Sequence, residues 1–290
     1  MKKKILGLFI LLFIYIISYL AGIFSFILIS DSINILLKIF IADTVATVVI
    51  WIAGIFLKTA SIYDPYWSIQ TPAIYLTLLI YYGNYNIGNI LFFIFIMLWA
   101  IRLTINFIIT FNDITYIDWR YSDIKNKTNK LYQIVNLLGI HLMPTILVFV
   151  ASIPAFSYII DGYDFIALDI IGYVIIILAV FFELISDINI HVYKKNRTDR
   201  SEIINVGFWK YSRHPNYLGE ILFWYGVLAI FLVHDFSNWY FMVGAILINL
   251  LFLFISIPLE EKKLITYKEG YLEYKKKTRM LIPLPFKLLK

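Results

Sequence analysis

The feature that most limits the fold of this chain is a series of apolar runs of about 20 residues, each long enough to cross a bilayer. Of the 290 residues, 61% are hydrophobic and 15% are charged, whereas an average soluble domain has about 25% charged residues. The first run follows three lysines and is longer than the core of a signal peptide, so we predict a retained first helix. The sequence therefore predicts an all-α polytopic membrane protein, in a single integral membrane domain over 1–290.

The apolar runs predict a bundle of about eight transmembrane helices. The segments are 5–29, 36–57, 68–82, 88–110, 133–153, 164–186, 217–233 and 239–257. The third is short and lies beside Pro65 and Pro72, which disfavour an uninterrupted helix. If this segment is re-entrant, the number of spanning helices is seven.

The distribution of lysine and arginine predicts how these helices are oriented. If the N-terminal lysines lie inside, the even-numbered connections carry the basic residues, as cytoplasmic loops do. The outer connections contain neither Lys nor Arg: they are 30–35, 83–87, 154–163 and 234–238. We therefore expect both termini in the cytoplasm. The same loops account for the net charge of +6, so no nucleic-acid partner is expected.

Two observations bear on metal and thiol chemistry. The chain has no cysteine, which excludes disulfides, thiolate catalysis and cysteine-ligated metals. Glu183, Asp187 and His191 recur at i, i+4 and i+8 and so share one helix face, and their side chains are metal-ligand types. However, the four histidines are scattered and no H-x-x-H or E-x-x-H pair occurs. We expect no metal.

The stretch KYSRHPNYLGEILFW, residues 210–224, places charged and polar groups at the start of an apolar helix. Proline is favoured at the first position of a helix, so the seventh helix should begin at about His214 or Pro215. The free amides of a helix start attract anions, and Arg213 adds a fixed positive charge beside them. This start is a candidate site for a phosphate-bearing ligand.

Asn216 and Glu220 lie one turn apart on this helix and so share a face. Together they offer a donor, an acceptor and a carboxylate, which suits a carboxamide or another bidentate polar group. Tyr217 adds a ring for stacking. The alternative is an interfacial collar, in which Trp209 and Arg213 lie at the level of the lipid headgroups. Such an interfacial role would require neither Asn216 nor Glu220.

The last 30 residues predict a basic amphipathic helix after the eighth apolar segment. Tyr267, Tyr271 and Tyr274 recur at i, i+4 and i+7, so they form one aromatic face among lysines. One interpretation is a helix that lies on the membrane surface. The other is a helix that closes over a phosphate-bearing cofactor, with the lysines opposing its charge.

Several strings resemble a known family. GFWKYSRHPNYLGEILFW and PLEEKKLITYKEGYLEYKKKTRMLIPLPF resemble the C-terminal signature of the steroid 5α-reductase superfamily, in particular its bacterial DUF1295 branch. SIYDPYWS, WAIRLTIN, IDWRYSD and FELISDINIH follow the expected order of that branch. Sterol reductases and isoprenylcysteine carboxyl methyltransferases carry related strings, so the likeness does not specify one reaction.

The resemblance to the reductases implies an NADPH cavity formed by the last helices, within residues 183–290. It implies that Asp187 contacts the adenosine half and that Asn216 and Glu220 hold the nicotinamide end. Tyr267 and the EEKK run would lie on the phosphates or ribose. The full set of expected cofactor residues is Asp187, Lys194, Arg213, His214, Asn216, Tyr217, Glu220, Lys263, Tyr267, Tyr271 and Tyr274.

The substrate site is less well marked. The resemblance implies a Glu and a Tyr from early helices on a substrate ketone, yet no such pair stands in a recognisable context here. Asp64 and Tyr66 of YDPYWS are the nearest candidates. For the proton donor, a carboxylic acid with a perturbed pKa would serve, and Glu220 or Glu260 fits that role.

These observations favour a reductase of the bacterial cytoplasmic membrane that transfers hydride from NADPH to an activated C=C of a lipophilic substrate. An S-adenosylmethionine-dependent lipid or prenyl-cysteine methyltransferase is the first alternative, and a lipid-binding or transport protein without catalysis is the second. The basic loop and the lysine-rich tail suit a cofactor with several phosphates better than S-adenosylmethionine, which has none. Membrane lipids and a lipophilic small molecule are the expected partners.

Overall fold

The computed structural model describes residues 2–284, which form helices and connecting turns with no strand among them. Seven helices in this described part are long and apolar enough to cross a membrane. The prediction of an all-α polytopic membrane protein is therefore confirmed, whereas the orientation of the termini stays a prediction. The chain packs as two compact units, Met1–Phe165 and Ile166–Lys290.

The N-terminal unit contains the first five helices. They are α1 (Lys2–Leu28), α2 (Ile35–Leu57), α3 (Tyr66–Tyr82), α4 (Ile87–Thr110) and α5 (Trp119–Ile160). Side chains at the helix starts fix several boundaries, because they accept hydrogen bonds from otherwise unpaired amides. Asn34 accepts from the amides of Leu36 and Leu37 before α2, and Asn86 accepts from Asn89 before α4.

Helix α3 explains why seven spans are found where about eight were predicted. Its 17 residues extend about 26 Å at 1.5 Å per residue, which is shorter than the roughly 30 Å hydrocarbon core. Gly83 ends the helix in the left-handed conformation, with φ of 61°. With 17 residues, α3 is at the lower end of the range of about 17–25 residues that cross a bilayer. Both termini lie on one side of the membrane only if the number of spans is even, so the predicted cytoplasmic location of both termini requires α3 to span as an eighth helix.

The C-terminal unit contains α6 (Asp169–Asn196), α7 (Pro215–Leu232), α8 (Phe236–Ile265) and α9 (Tyr271–Lys277). Helices α6 and α7 approach each other closely at glycines, as small residues allow in membrane proteins. A Cβ at Gly219 would lie 2.6 Å from the carbonyl oxygen of Ala179. Likewise, a Cβ at Gly172 would lie 2.8 Å from that of Gly226. This contact holds the start of α7 beside the last turns of α6.

Two features bring the last residues of the unit back to α7. A wide π-helical turn over Phe252–Ser256 interrupts α8, and Gly270 begins α9 with φ of 73°. After α9 the chain runs beside the start of α7, where the amide of Arg213 donates to the carbonyl of Arg279 over 2.9 Å. The polar start of α7 is thereby enclosed by residues about 60 positions later in the chain.

Candidate functional site

The C-terminal unit contains a cleft of about 830 Å³, open solvent included. Its walls come from the end of α6, the loop that follows, the start of α7, the end of α8, and α9. It is lined by Ile190, Tyr193, Lys194, Arg197, Ile203, Ile204, Trp209, Arg213, His214, Asn216, Tyr217, Glu260, Leu264, Tyr267, Lys268, Tyr271 and Tyr274.

Most residues predicted to bind a cofactor line this one cleft, although they come from segments far apart in the sequence. They are Lys194, Arg213, His214, Asn216, Tyr217, Tyr267, Tyr271 and Tyr274, together with Glu260, a predicted proton donor. Three other predicted cofactor residues are not among its lining: Asp187, Glu220 and Lys263. Whether any of them binds a cofactor stays a prediction.

Two buried polar atoms belonging to the cleft walls have no hydrogen-bond partner within residues 2–284. They are the Oδ1 atom of Asn216, an acceptor, and the hydroxyl of Tyr271, which is both donor and acceptor. Burial raises the pKa of the Tyr271 hydroxyl, so the group keeps its proton at neutral pH. Buried polar groups are nearly always paired in proteins, so these two atoms mark a place for a ligand with complementary groups.

The predicted anion-binding arginine is already engaged with a carboxylate. Arg213 Nε donates to Glu261 Oε1 over 2.7 Å, and its guanidinium also donates to the backbone carbonyls of Lys275 and Thr278. The Lys275 ammonium lies 2.5 Å from the other oxygen of Glu261. Arg213 therefore fastens the segment after α8 to the start of α7, and its charge is balanced within the protein.

The ring of His214 extends this cluster toward the cleft. Its Nε2 atom lies 3.3 Å from Glu261 Oε1, and the ring stacks on Tyr217 with a centroid separation of 5.3 Å. Tyr217 in turn contacts Phe252, in the π-helical turn of α8, at 4.7 Å. The cluster around Glu261 thus sets the position of an aromatic wall of the cleft.

Positive charge in the cleft comes from Lys194, Arg197 and Lys268. Burial lowers the pKa of Lys268, and the nearby charges of Arg197 and Lys194 lower it further. Three cations that disfavour one another are stabilised when an anion binds among them. This side of the cleft therefore has the charge that a phosphate group requires.

Hydrogen bonds hold the loop between α6 and α7 in place as a wall. The Lys268 ammonium and the Tyr193 hydroxyl both donate to the carbonyl of Glu202. The indole of Trp209 donates to the carbonyl of Ser186 over 3.0 Å, and the hydroxyl of Tyr274 donates to the carbonyl of Trp209. Trp209 is 7% exposed, so it is part of this wall and not the interfacial collar residue that its sequence context suggests.

Glu220 and Asp187 are buried near the cleft but outside its lining. Glu220 is 4% exposed and accepts a hydrogen bond from the indole of Trp224 over 3.2 Å. Asp187 is 6% exposed on α6. Asn216 and Glu220 were expected to share a helix face, but only Asn216 lines the cleft. The Glu220 side chain contacts Trp224 instead.

Asp64 and Tyr66, the candidate substrate pair, lie in the N-terminal unit. Their side chains form hydrogen bonds with different partners. The Asp64 carboxylate accepts a hydrogen bond from the Tyr121 hydroxyl. Tyr66 instead donates to Asp43 Oδ1 over 2.9 Å, and Asp43 Oδ2 accepts from the Gln70 amide over 2.5 Å. The carboxylate that accompanies Tyr66 is thus an acid within the apolar helix α2.

Some residues at these sites were not predicted from the sequence as site residues. They are Asp43, Gln70, Arg197 and Lys268, whereas Glu261 was predicted only as part of the EEKK run. For Asp43 a signal existed, because a carboxylate inside an apolar run is costly and usually functional. Arg197 and Lys268 lie among other charged residues, and Gln70 is an uncharged residue in an apolar run, so no sequence pattern selects them.

Comparisons with known proteins agree with the strings found in the sequence. No curated protein and no solved structure matches the chain. A family described as "Protein of unknown function (DUF1295)" matches residues 50–278. This match includes most of the chain and every residue that lines the cleft, and the protein therefore belongs to that family.

Proposed function

We propose that this protein is a membrane-embedded reductase that transfers a hydride from NADPH to an activated C=C of a lipophilic substrate. The proposal combines the resemblance to the steroid 5α-reductase superfamily with the chemistry of the cleft. The expected location is a bacterial cytoplasmic membrane. The seven membrane-spanning helices are consistent with a substrate that reaches the enzyme from the lipid phase.

The observation that carries the proposal is the pair of unpartnered polar groups in the cleft. Asn216 Oδ1 needs a donor, and the Tyr271 hydroxyl can donate or accept. A carboxamide such as that of nicotinamide has both an N–H₂ and a carbonyl oxygen, so it can satisfy groups of both kinds. Leaving such buried groups unpaired costs stability, which a bound ligand would recover.

Charge and shape support the same ligand. Lys194, Arg197 and Lys268 provide the positive charge for phosphates, whereas Arg213 is neutralised by Glu261. The rings of Tyr217 and Tyr267 line the cleft and offer faces on which a planar base can stack. S-adenosylmethionine carries no phosphate and would bring only one carboxylate to these three cations.

The chemistry divides between cofactor and protein. NADPH supplies the hydride, and the protein supplies binding and orientation. Asn216 would orient the carboxamide and Tyr217 would support the ring. A proton must also reach the substrate, and we propose Tyr271 or Glu260, which both line the cleft, as the residue that delivers it. Reduction of an enone would develop negative charge on its oxygen, which a proton donor stabilises.

Binding measurements with purified protein in detergent test the proposal. We expect isothermal titration to show NADPH binding and no S-adenosylmethionine binding. Asn216→Ala should weaken NADPH about tenfold, because a buried hydrogen bond lost on one side costs about 1–3 kcal/mol. Tyr271→Phe should have a similar effect through the lost hydroxyl.

The control is Tyr211→Phe, which makes the same chemical change at a tyrosine that does not line the cleft. This variant should bind NADPH like the wild type. Tight binding of S-adenosylmethionine without NADPH binding would favour the methyltransferase. Binding of neither, by a folded protein, would favour a lipid-binding or transport role without catalysis.

A further inference from the structure

A second cavity lies in the N-terminal unit, between α1, α2 and α3. It has a volume of about 700 Å³, open solvent included, and is lined mainly by aliphatic and aromatic side chains. Three buried polar residues, Asp43, Tyr66 and Gln70, contribute to its wall and are at most 6% exposed. A cavity with an apolar body and few fixed polar groups is the usual form of a site for a lipophilic molecule.

The orientation of the Gln70 amide is fixed by its neighbours. Its Nε2 atom donates to Asp43 Oδ2 over 2.5 Å and to the carbonyl oxygen of Thr145 over 3.1 Å. Both of these partners accept hydrogen bonds, so the reversed amide would place oxygen against oxygen. The Oε1 atom consequently faces away from them, is buried, and has no partner among the described residues.

Each side-chain hydroxyl of the cavity wall donates its proton to an acceptor within the protein. Tyr66 donates to the Asp43 carboxylate. The remaining donations are Tyr15 to the carbonyl of Ile62, Ser18 to that of Tyr15 and Thr77 to that of Ala73. Because Thr77 uses its proton in this way, its contact of 2.9 Å with Tyr19 has Tyr19 as the donor. Among the described residues, Gln70 of the cavity wall therefore carries a buried acceptor without a partner, whereas the hydroxyl groups of the wall have no free proton.

We infer that this cavity binds a hydroxylated lipid, a molecule with a long apolar body whose hydroxyl donates a hydrogen bond to Gln70 Oε1. The apolar body would lie against the facing sides of α1 and α2. A ketone or an ether of the same shape can only accept, and it would leave Gln70 Oε1 unpaired. The hydroxyl is a group for recognition and takes no part in hydride transfer.

The inference goes beyond the proposed function and does not depend on it. The binding site itself involves only residues of the N-terminal unit and needs no nicotinamide cofactor. Its experiment is therefore carried out without cofactor and without turnover, so that a failure here leaves NADPH binding to be judged separately.

The experiment compares three probes of equal chain length on the full-length protein. They are 1-hexadecanol, its ether 1-methoxyhexadecane and the ketone 2-hexadecanone. The protein is purified in lauryldimethylamine oxide, a detergent without a hydroxyl group, and bound probes are quantified by native mass spectrometry. We expect the alcohol to bind about fivefold or more tightly than either acceptor-only probe, which corresponds to one buried hydrogen bond.

Two variants locate the effect. Gln70→Met keeps the length of the side chain and removes the acceptor, so the preference for the alcohol should disappear. Ile23→Trp narrows the cavity without changing Gln70, so all three probes should bind more weakly. Leu20→Trp makes a comparable change at an exposed position of the same helix that does not line the cavity, and it should bind the probes like the wild type.

Equal or tighter binding of the ether or ketone by the wild type would overturn the inference, whatever the variants do. A preference for the alcohol that survives in folded Gln70→Met would overturn it as well. So would unchanged binding in Ile23→Trp. If NADPH binds the C-terminal cleft while the alcohol shows no preference, the reductase proposal stands and this inference fails.

Discussion

The guanidinium of Arg213 donates to the carboxylate of Glu261 across 2.7 Å, although 48 residues separate the two in the chain. Both side chains are buried, at 8% and 5% exposure. The pair connects the first residues of the RHPN stretch to the second acid of the EEKK run. Arg213 thus supports the cleft that it lines, and its expected role in phosphate binding stays a prediction.

Breaking this pair should destabilise the protein strongly. Glu261→Leu leaves the Arg213 guanidinium buried without its carboxylate, and such a loss costs about 3–5 kcal/mol. Thermal unfolding in detergent should show a large decrease in Tm. Arg213→Met should have a comparable effect, because Glu261 then keeps only His214 and the half-exposed Lys275.

The double variant Arg213→Met/Glu261→Leu tests whether the two residues act as a unit. Its decrease in Tm should be smaller than the sum of the single decreases, because no uncompensated buried charge remains. Lys275→Met is the control: its side chain is 44% exposed, and exposed ion pairs contribute about 0–1 kcal/mol. Strict additivity of the two single changes would contradict the proposed pairing.

The lysines of the cleft should contribute selectively to binding of a phosphate-bearing cofactor. Lys194→Ala and Lys268→Ala should each weaken NADPH about tenfold, because hydrogen bonds to charged groups contribute about 1.5–3 kcal/mol. Both effects should decrease at high salt, which screens charges near the surface. Titration calorimetry at two ionic strengths measures this.

Lys263→Ala provides the comparison, since Lys263 was predicted to bind the cofactor but does not line the cleft. We expect its NADPH affinity to stay close to that of the wild type. If Lys263→Ala weakened binding as much as Lys194→Ala, the phosphates would lie farther along α8 than the cleft suggests.

Asp64 should make stability decrease with rising pH. Burial raises the pKa of its carboxyl to about 7, more than the hydrogen bond from Tyr121 lowers it. In the unfolded chain the value is about 3.9, so between about pH 4 and 7 the folded state keeps a proton that the unfolded state releases. Stability is then highest below pH 4 and is lost as the pH rises to about 7.

Asp64→Asn removes this titration while keeping an oxygen that can accept from Tyr121. Its Tm relative to the wild type should therefore be higher at pH 8 than at pH 5. Asp113→Asn is the opposite control, because hydrogen bonds from Thr115 lower the pKa of Asp113. That variant should lose more stability at pH 5 than at pH 3. A wild type and an Asp64→Asn variant with identical pH profiles would refute the expectation.

The orientation of the helices can be tested by labelling, since the chain has no cysteine of its own. Single cysteines at Ser122, Thr198 and Ser237 report on three connections. The positive charge predicts that Ser122 and Thr198 are labelled from the cytoplasm and Ser237 from outside. Labelling of Ser237 from the cytoplasm would reverse the orientation assigned to the last helices.

The sequence alone determined the membrane helices, because the length of an apolar run and the solvent it requires are local properties. Pro215 begins α7 as predicted, since a proline at the first position needs no partner from elsewhere in the chain. The shortness of α3 was also expected from the short apolar run over 68–82, although the helix continues through Pro72. The polar stretches at the end of α6, the start of α7 and the end of α8 were identified by the residue types they contain.

Only the tertiary structure decided which of those polar groups are free for a ligand. Arg213 and Asn216 are three residues apart and equally polar in the sequence, yet one is neutralised by Glu261 and the other faces the cleft with an unpaired oxygen. Likewise, Tyr66 is two residues from Asp64 in the chain but donates to Asp43 on another helix. The reason is physical: the direction of a side chain and the partner that satisfies it depend on helix packing, which joins residues that the sequence keeps far apart.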